Sequence, residues 1–259
     1  MNKPHLLTFS STGYTLPERF IRQAHQSEFF GSVSLYSNKQ IEHLLKTRPL
    51  FFKVWKKRGF GFWIWKPRII LQRLMEIPKN DYLIYLDQGF HIQGSGVHRL
   101  EKYLNDLEIH RSWIGVFSAG ENYRPEFFVR KQVVNSYNPG FYTSNFGEYV
   151  YAGILIIKNV DRAKEAIREW QKMCEETPFL APLPIRLGQR REFIGQDGDN
   201  GYLPVVLDKW GGFHKFPPDE INLLNHEGFQ LQHVIPSDDH RNIDWSQMKD
   251  RPFLLKRDR

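Results

Sequence analysis

The chain has 259 residues, of which 41% are hydrophobic and 15% aromatic, and its formal net charge is +7. These values suit one large α/β domain and exclude a chain that is disordered throughout. The single cysteine, Cys174, excludes an internal disulfide and indicates a reducing compartment. Because no apolar run approaches the roughly 18 residues of a membrane-spanning helix, we expect a cytoplasmic protein; attachment to the inner face of the cytoplasmic membrane is the alternative.

The positive charge is concentrated in one window of the chain. Nine basic residues and no acidic one lie between Glu42 and Glu76, and the rest of the chain carries 27 basic and 29 acidic residues. A solvated basic surface is the common reason for such a run. Repulsion among the nine charges favours the alternative, a site for the phosphates of a nucleotide, a nucleic acid or lipid head groups. The nine are Lys46, Arg48, Lys53, Lys56, Lys57, Arg58, Lys66, Arg68 and Arg73.

The first half of the chain alternates predicted strands and helices. An apolar strand at residues 6–9 leads through small residues to a capped helix, and a second strand follows at 32–36. Pro67 opens a further helix, which ends before Pro78. Residues 81–86 form a nearly continuous apolar run, typical of a central strand that is buried on both faces.

The second half continues this alternation. Strands are predicted at 113–117 and 149–157, separated by a polar and aromatic stretch at 121–147 that we expect to be irregular and to take part in binding. An amphipathic helix then runs towards Pro178, and the chain after residue 204 is predicted to be irregular. The alternation predicts a mainly parallel sheet with helices on its faces, in which ligands bind beyond the carboxyl ends of the strands.

Asp87 follows the apolar run at 81–86, and Gly89 lies two residues later. At the carboxyl end of a central strand its carboxylate would face the ligand side of the sheet, where a glycine permits close approach. A simple turn is the ordinary interpretation of an isolated Asp-x-Gly. The alternative is that Asp87 holds Mg²⁺ or Mn²⁺ beside the diphosphate of a nucleotide.

The segment RGFGFWIWKP, residues 58–67, places Arg58 and Lys66 around four aromatic side chains and two glycines. Such a segment offers ring faces to a base or a sugar and positive charge to phosphates. A cluster that only anchors a loop is the structural alternative, and we expect Trp63 and Phe60 to belong to the core. Arg58 and Lys66 are costly to bury without a partner, so we expect them to contact the ligand.

Two further groups of polar residues lie near the C-terminus. Asp197 and Asp199 belong to an acidic loop, for which a helix cap is the usual role; binding sugar hydroxyls or accepting a proton from one is the alternative. Four histidines follow, and a surface position is the ordinary expectation for each of them. Among them, His240 is our candidate for a metal ligand. The four are His214, His226, His233 and His240.

Together these segments resemble a bacterial group of small glycosyltransferase-A-type enzymes of surface polysaccharide and lipopolysaccharide assembly. In that group the corresponding blocks read R-G-x-G-Y-W-x-W-K-P, Y-L-D-x-G and H-R-x-D-Q-S. The resemblance spans about residues 6–207. It rests on FSSTGY at 9–14, RGFGFWIWKP with the helix after it, DYLIYLDQG at 81–89, YAGILIIKN at 151–159 and FIGQDGDNGYL at 193–203.

The resemblance implies an α/β, glycosyltransferase-A-like (Rossmann-like) fold, a mainly parallel sheet flanked by helices, in a single domain over residues 1–259. The nucleotide-binding half would be at about 1–118 and the acceptor-side half at about 119–259. It implies transfer of a hexose, of the galactose type, from a nucleotide diphosphate sugar to a glycan or lipid-linked glycan. UDP is the expected nucleotide, and Mn²⁺ or Mg²⁺ the expected cofactor.

Site residues follow from the resemblance position by position. Asp87 aligns with the aspartate of the family's D-x-D-like motif, whose second aspartate is replaced by Gly89. Asp199 and Asn200 align with an Asp-Gln pair, and the shorter Asn200 would alter acceptor preference. The implied catalytic residues are Asp87 and Asp199, the latter as the acceptor-side base, and Asp87 also binds the metal. Donor binding is implied for Ser10, Thr12, Tyr14, Arg58, Trp65, Lys66, Ala152 and Gly153, and acceptor binding for Asp197 and Asn200.

Two other functions stay open on the sequence. The basic, aromatic window at 46–73 suits a nucleic-acid-binding module, although Asp87 and the acidic loop would repel phosphates, so we expect no nucleic-acid partner. The reduced metal motif is compatible with a catalytically silent protein of the same fold. A basic tail around Lys256 and Arg257 is compatible with weak attachment to a membrane surface.

Overall fold

The computed structural model describes residues 2–11, 18–54, 59–120, 123–176, 191, 193, 198–220 and 250–255. Within these ranges the strands are β1 (His5–Phe9), β2 (Ser32–Tyr36), β3 (Tyr82–Leu86), β4 (Phe90–Ile92), β5 (Ile114–Ser118), β6 (Val150–Lys158), β7 (Phe213–Phe216) and β8 (Phe253–Leu255). The helices are α1 (Glu18–Ser27), α2 (Glu42–Thr47), α3 (Pro49–Val54), α4 (Lys66–Glu76), α5 (Val97–Ile109), α6 (Lys131–Tyr137), α7 (Asp161–Glu176) and α8 (Leu203–Trp210).

Six strands form the main sheet in the order β2-β1-β3-β6-β5-β7. Five of them run in one direction, and β6 is antiparallel to both of its neighbours, β3 and β5. The predicted mixed α/β domain with a mostly parallel sheet is confirmed. A separate two-stranded sheet pairs β4 with β8.

Helices cover both faces of the main sheet. All five residues of β3 are buried, and they alternate between the two faces: Leu83 and Tyr85 point to one side, and Ile84 to the other. Helices α4, α7 and α8 pack on the first face, and α1 and α5 pack on the second. Burial on both faces explains why β3 reads as an uninterrupted apolar run.

The prediction of an irregular chain after residue 204 is wrong. Helix α8 continues to Trp210, and β7 then adds an edge strand beside β5. The reason for the error is physical: β7 has the sequence FHKF, whose polar members are tolerated because an edge strand is only half-buried. The stretch at 121–147 is mostly irregular, as predicted, but it includes helix α6.

None of the helices in the described ranges combines the length and apolar character that crossing a bilayer requires. Cys174 is a free, buried thiol on α7.

Candidate active site

The carboxyl edge of the main sheet brings several predicted site residues together. Asp87 directly follows β3, and Ser10 directly follows β1. Because β6 is antiparallel, its first residues, including Ala152 and Gly153, lie at the same edge. Side chains also tie the ends of β1 and β3 to each other: the Thr8 hydroxyl donates to the Leu86 carbonyl at 2.7 Å, and the Gln88 amide donates to the Phe9 carbonyl at 2.5 Å.

A β-bulge interrupts β6 at this edge. The register between β5 and β6 shifts, so that Val116 pairs with Leu155 but the next residue, Phe117, pairs with Tyr151. Residues 152–154 of β6 are therefore extra residues that pair with no residue of β5. The backbone of Ala152 bonds to side chains instead. Its N–H donates to Asn200 Oδ1 at 2.7 Å, and its carbonyl accepts from Lys66 Nζ at 3.1 Å. The bulge therefore connects the sheet to α4 and to the 3-10 turn Gly198–Gly201.

Lys66 lies at the centre of a buried group of charges. Its ammonium is 2.8 Å from Asp199 Oδ2 and 3.5 Å from Asp87 Oδ1, and the hydroxyl of Tyr85 donates to the same Asp87 oxygen at 2.6 Å. Burial disfavours the charged form of Lys66, but the carboxylates of Asp199 and Asp87 outweigh it and raise the pKa of the ammonium. Burial, together with Asp87, raises the pKa of the Tyr85 phenol, so Tyr85 remains a hydrogen-bond donor.

The two carboxylates differ sharply in exposure. The side chain of Asp87 is 32% exposed, whereas those of Asp199 and Lys66 are 1% and 2% exposed. The backbone carbonyl of Asp199 is held by the indole N–H of Trp170 at 3.2 Å. Of the pair, Asp87 is the carboxylate that a ligand can reach, and Asp199 is the buried counter-ion of Lys66.

Gly153 leaves the space in which the Asp87 carboxylate lies. The Asp87 N–H donates to the Gly153 carbonyl at 2.8 Å, so the two residues are neighbours across β3 and β6. A Cβ atom on residue 153 would lie 2.9 Å from Asp87 Oδ2 and 3.5 Å from the ring of Phe90. A side chain at this position would therefore displace Asp87.

The aromatic segment before α4 forms a left-handed turn. All five residues from 59 to 63 have positive φ angles, between 47° and 85°. This conformation costs about 1–2 kcal/mol for each residue that is not glycine, so the surroundings must enforce it. A Cβ atom on Gly61 would lie 2.7 Å from the ring of Phe52, which requires glycine there.

Trp65 holds this turn closed. Its indole N–H donates to the carbonyls of Phe60 and Gly59 at 3.0 and 3.2 Å, and its ring stacks on Phe9 with centroids 3.9 Å apart. Trp65 is 3% exposed. Its contacts fix the start of α4, whose first residue is Lys66.

The predicted site residues fall into two groups. Six of them meet at the carboxyl edge of the sheet: Lys66, Asp87, Ala152, Gly153, Asp199 and Asn200. Ser10 directly follows β1 at the same edge and is 9% exposed, and Trp65, another predicted donor-binding residue, is buried in the turn before α4. The others, Thr12, Tyr14, Arg58, Asp197 and His240, lie outside the described residues.

The role of Tyr85 is not predictable from the sequence. Within the apolar run it reads only as a core side chain, and the hydroxyl that reaches Asp87 leaves no signal in the pattern. Trp63 and Phe60, which we expected in the core, are only partly buried, whereas Phe62 is 3% exposed. Both rings nevertheless pack against the core on the first face of the sheet.

The basic window is largely neutralised where the structure describes it. Besides Lys66, three of its members pair with carboxylates: Lys46 with Glu42 at 2.7 Å, Arg68 with Glu175 at 2.8 Å and Arg73 with Glu76 at 3.0 Å. Four of the six basic residues that the structure describes in this window therefore have acidic partners.

The described residues do not make a complete site for a divalent metal ion. They contain no group of three His, Cys, Asp or Glu side chains suited to hold one. Asp87 offers a single reachable carboxylate, and the Lys66 ammonium, 3.5 Å from one of its oxygens, opposes a second cation there.

Two solved structures with a similar fold are those of glycosyltransferases. A glycosyltransferase involved in glycosylation of the major capsid of PBCV-1 shares 12% identity over 97% of this chain and 92% of that chain, with a TM-score of 0.52. The bifunctional glycosyltransferase WbbM, in its apo structure, shares 10% identity over 97% of this chain and 45% of that chain, with a TM-score of 0.50. No protein-family model and no curated protein matches the sequence. The likeness therefore concerns the fold, which is the predicted glycosyltransferase-A-like one.

Proposed function

We propose that the protein is a glycosyltransferase that moves a hexose from a nucleotide diphosphate sugar to a hydroxyl group of a glycan. The observation that carries the proposal is the reachable Asp87 carboxylate at the end of β3, oriented by Tyr85 and Lys66 beside the space at Gly153. Oriented polar groups at the carboxyl edge of such a sheet are the usual setting for a nucleotide ligand. The likeness in fold to glycosyltransferases supports the proposal.

In the proposed reaction, the bond between the anomeric carbon and the diphosphate oxygen breaks, and the diphosphate leaves with the electron pair. The acceptor oxygen forms a bond to the anomeric carbon, and its proton passes to a base. We assign the nucleotide to the segment after β1, with Ser10, Thr12 and Tyr14, and the diphosphate to Arg58. UDP and a galactose-type hexose remain our expectation for the donor.

The geometry favours a revised division of roles among the charged residues. Lys66 is directed at Asp199, Asp87 and the Ala152 carbonyl, so we assign it as a positioning residue and no longer as a contact of the diphosphate. Asp199, at 1% exposure, is assigned as its counter-ion and no longer as the acceptor-side base. Asp87 is the group that contacts the donor sugar. Fixed charges of this kind keep a site organised before the substrate arrives.

The remaining parts of the proposal concern partners and location. We expect a glycan or lipid-linked glycan acceptor in surface polysaccharide or lipopolysaccharide assembly, bound in part by Asn200 and Asp197. Mn²⁺ or Mg²⁺ dependence stays a prediction. Weak membrane attachment through Lys256 and Arg257 also stays a prediction, since both residues lie outside the described ranges.

The proposal is tested by calorimetry with UDP-galactose, UDP-glucose and GDP-mannose, each with and without Mn²⁺. We expect one donor to bind and to be consumed in the presence of a glycan mixture. Asp87→Asn, which keeps the shape of the side chain, should lower transfer by at least about a hundredfold. Asp161→Asn removes a carboxylate that is 77% exposed on α7 and serves as the matched control.

Two results would count against this function, and a third would count against the role of Asp87. Failure of every donor to bind the wild-type protein would contradict it. Salt-sensitive binding of oligonucleotides without any response to nucleotide sugars would favour the nucleic-acid-binding alternative. Full transfer activity in Asp87→Asn would remove the role assigned to that carboxylate.

A further inference from the structure

We propose that an aromatic platform beside the start of β6, made by Tyr123, Phe128, Tyr149 and Tyr151, binds a pyranose ring of the acceptor. The proposal rests on the proposed function, because it names where the acceptor would lie. The platform belongs to the stretch at 121–147 and the strand that follows it. Its buried members, Tyr123 and Tyr149, form a cluster separate from the two large cores, and Tyr151 packs against both this cluster and the core on the second face of the sheet.

Two rings of the platform are buried, and the other two are partly exposed. Tyr123 and Tyr149 are 6% and 4% exposed, whereas Phe128 and Tyr151 are partly exposed. The ring centroid of Phe128 lies 4.8 Å from that of Tyr149 and 6.4 Å from that of Tyr123. Burial raises the pKa of Tyr123 to about 12, so it stays neutral. The buried rings of Tyr123 and Tyr149 thus support the partly exposed rings of Phe128 and Tyr151, which a ligand can contact.

Backbone hydrogen bonds hold the platform rigidly at the carboxyl edge of the sheet. The Ala119 N–H donates to the Tyr149 carbonyl at 2.7 Å, and the Tyr149 N–H donates to the Tyr123 carbonyl at 2.8 Å. The first bond extends the pairing of β5 and β6 by one step, and the second ties Tyr123 to Tyr149. A rigid surface loses little entropy when it binds a ligand.

Glu148 supplies a polar group next to the rings. The Ser118 hydroxyl donates to Glu148 Oε2, which orients the carboxylate. Lys215 Nζ donates to the backbone carbonyls of Glu148 at 2.9 Å and of Phe146 at 2.7 Å, and this fixes the turn that carries Glu148. An oriented carboxylate is a strong acceptor for the hydroxyl groups of a sugar.

The position of the platform suits an acceptor. Tyr151 precedes Gly153 on β6 by two residues, at most about 7 Å along the chain, and Gly153 lies against Asp87. Tyr151 also packs against the same core layer as Phe90, the other neighbour of Gly153. A sugar on the platform would therefore lie next to the donor sugar that we place at Asp87.

The chemistry of the platform selects the class of ligand. Aromatic faces bind the C–H surface of a pyranose, and a carboxylate binds its hydroxyl groups. A purely apolar ligand would bury the Glu148 carboxylate with only the Ser118 hydroxyl as its donor. A neutral sugar satisfies both parts of the surface.

Saturation-transfer NMR tests the platform, with methyl β-galactoside, methyl β-glucoside and lactose as probes in the presence of UDP. We expect at least one probe to bind the wild-type protein. Phe128→Leu, which keeps an apolar side chain but removes the ring, should weaken binding about fivefold. Glu148→Gln should weaken it about tenfold. The matched control is Phe30→Leu, since Phe30 is a partly buried ring that contacts Phe29 and Phe253 near the opposite edge of the sheet.

Calorimetry with UDP on the same samples separates the two proposals. Unchanged UDP affinity in both variants, with weaker sugar binding, would support the platform. Equal sugar binding by the wild-type protein, Phe128→Leu and Glu148→Gln would overturn it, as would failure of every probe to bind the wild-type protein. Failure of UDP, UDP-galactose, UDP-glucose and GDP-mannose alike to bind the wild-type protein would instead contradict the proposed function, while the sugar titrations would still decide whether the platform binds pyranoses.

Discussion

The ammonium of Lys66 and the carboxylate of Asp199 lie 2.8 Å apart, and neither side chain is more than 2% exposed. Removing one partner of such a pair leaves a buried charge without compensation, which is far more costly than removing both. We expect Lys66→Met to lower the free energy of unfolding by about 3–5 kcal/mol. Urea unfolding followed by tryptophan fluorescence measures this change.

Two further variants serve as controls for Lys66→Met. The double variant Lys66→Met, Asp199→Leu should recover part of the lost stability, because no unpaired charge remains from that pair. Lys79→Met removes an exposed partner of Asp161 and should change the free energy of unfolding by less than about 1 kcal/mol. Equal midpoints for Lys66→Met and Lys79→Met would show that the buried pair does not hold the site together.

Substitution of Gly153 tests the position of Asp87. In Gly153→Ala the new methyl group meets Asp87 Oδ2 at 2.9 Å, so the carboxylate must move away from its place beside the donor sugar. We expect transfer to fall by about tenfold or more, with a small change in melting temperature. Gly140→Ala, whose new methyl group would have its nearest neighbour at 3.9 Å, should leave transfer intact. Wild-type transfer in Gly153→Ala would refute the placement of Asp87.

Arg19 on α1 controls the turn that follows Asp87. Its guanidinium donates to the carbonyls of Gln88 at 2.8 Å and Phe90 at 2.9 Å. Arg19→Ala should therefore speed amide hydrogen exchange across residues 87–92 and raise KM for the donor. We expect it to lower the free energy of unfolding by about 1–3 kcal/mol. Arg22→Ala, an exposed position on the same helix, is the control. Identical exchange in both variants would argue against this role.

Glu220 makes the fold sensitive to acid. Burial opposes its ionisation, but hydrogen bonds from Arg99 and Tyr103, together with the charges of Arg251 and Arg99, lower the pKa of its carboxyl below the ordinary 4.5. A depressed pKa in the folded state stabilises the protein above the unfolded value, and this stability is lost as the pH falls through the folded value. We expect melting temperature to drop below about pH 4.5 in the wild-type protein.

At neutral pH, the melting temperature of Glu220→Gln should be lower than that of the wild-type protein. Below about pH 4.5, it should vary less with pH than that of the wild-type protein. Glu165→Gln, at an exposed pair with Arg168, provides the comparison. If Glu220→Gln showed the full acid dependence of the wild-type protein, the sensitivity would have to come from other groups.

Local patterns were sufficient to predict the central part of the fold. The apolar run before Asp87 predicted both β3 and the place of that carboxylate at the carboxyl edge of the sheet. The direction of β6 was not predictable, because alternation of side chains is the same in parallel and antiparallel strands. The burial of Lys66 was missed because its partner, Asp199, is distant in the sequence, and periodicity carries no information on such pairs.

The bulge in β6 also restricts insertions and deletions in this strand. Two side chains from outside the sheet, Asn200 and Lys66, form hydrogen bonds with the N–H and the carbonyl of Ala152. If β6 slid by one residue along β3, both side chains would meet the wrong peptide group, and every side chain of β6 would move to the opposite face of the sheet. Segment 150–158 should therefore accept exchanges among apolar side chains far more readily than a single insertion or deletion.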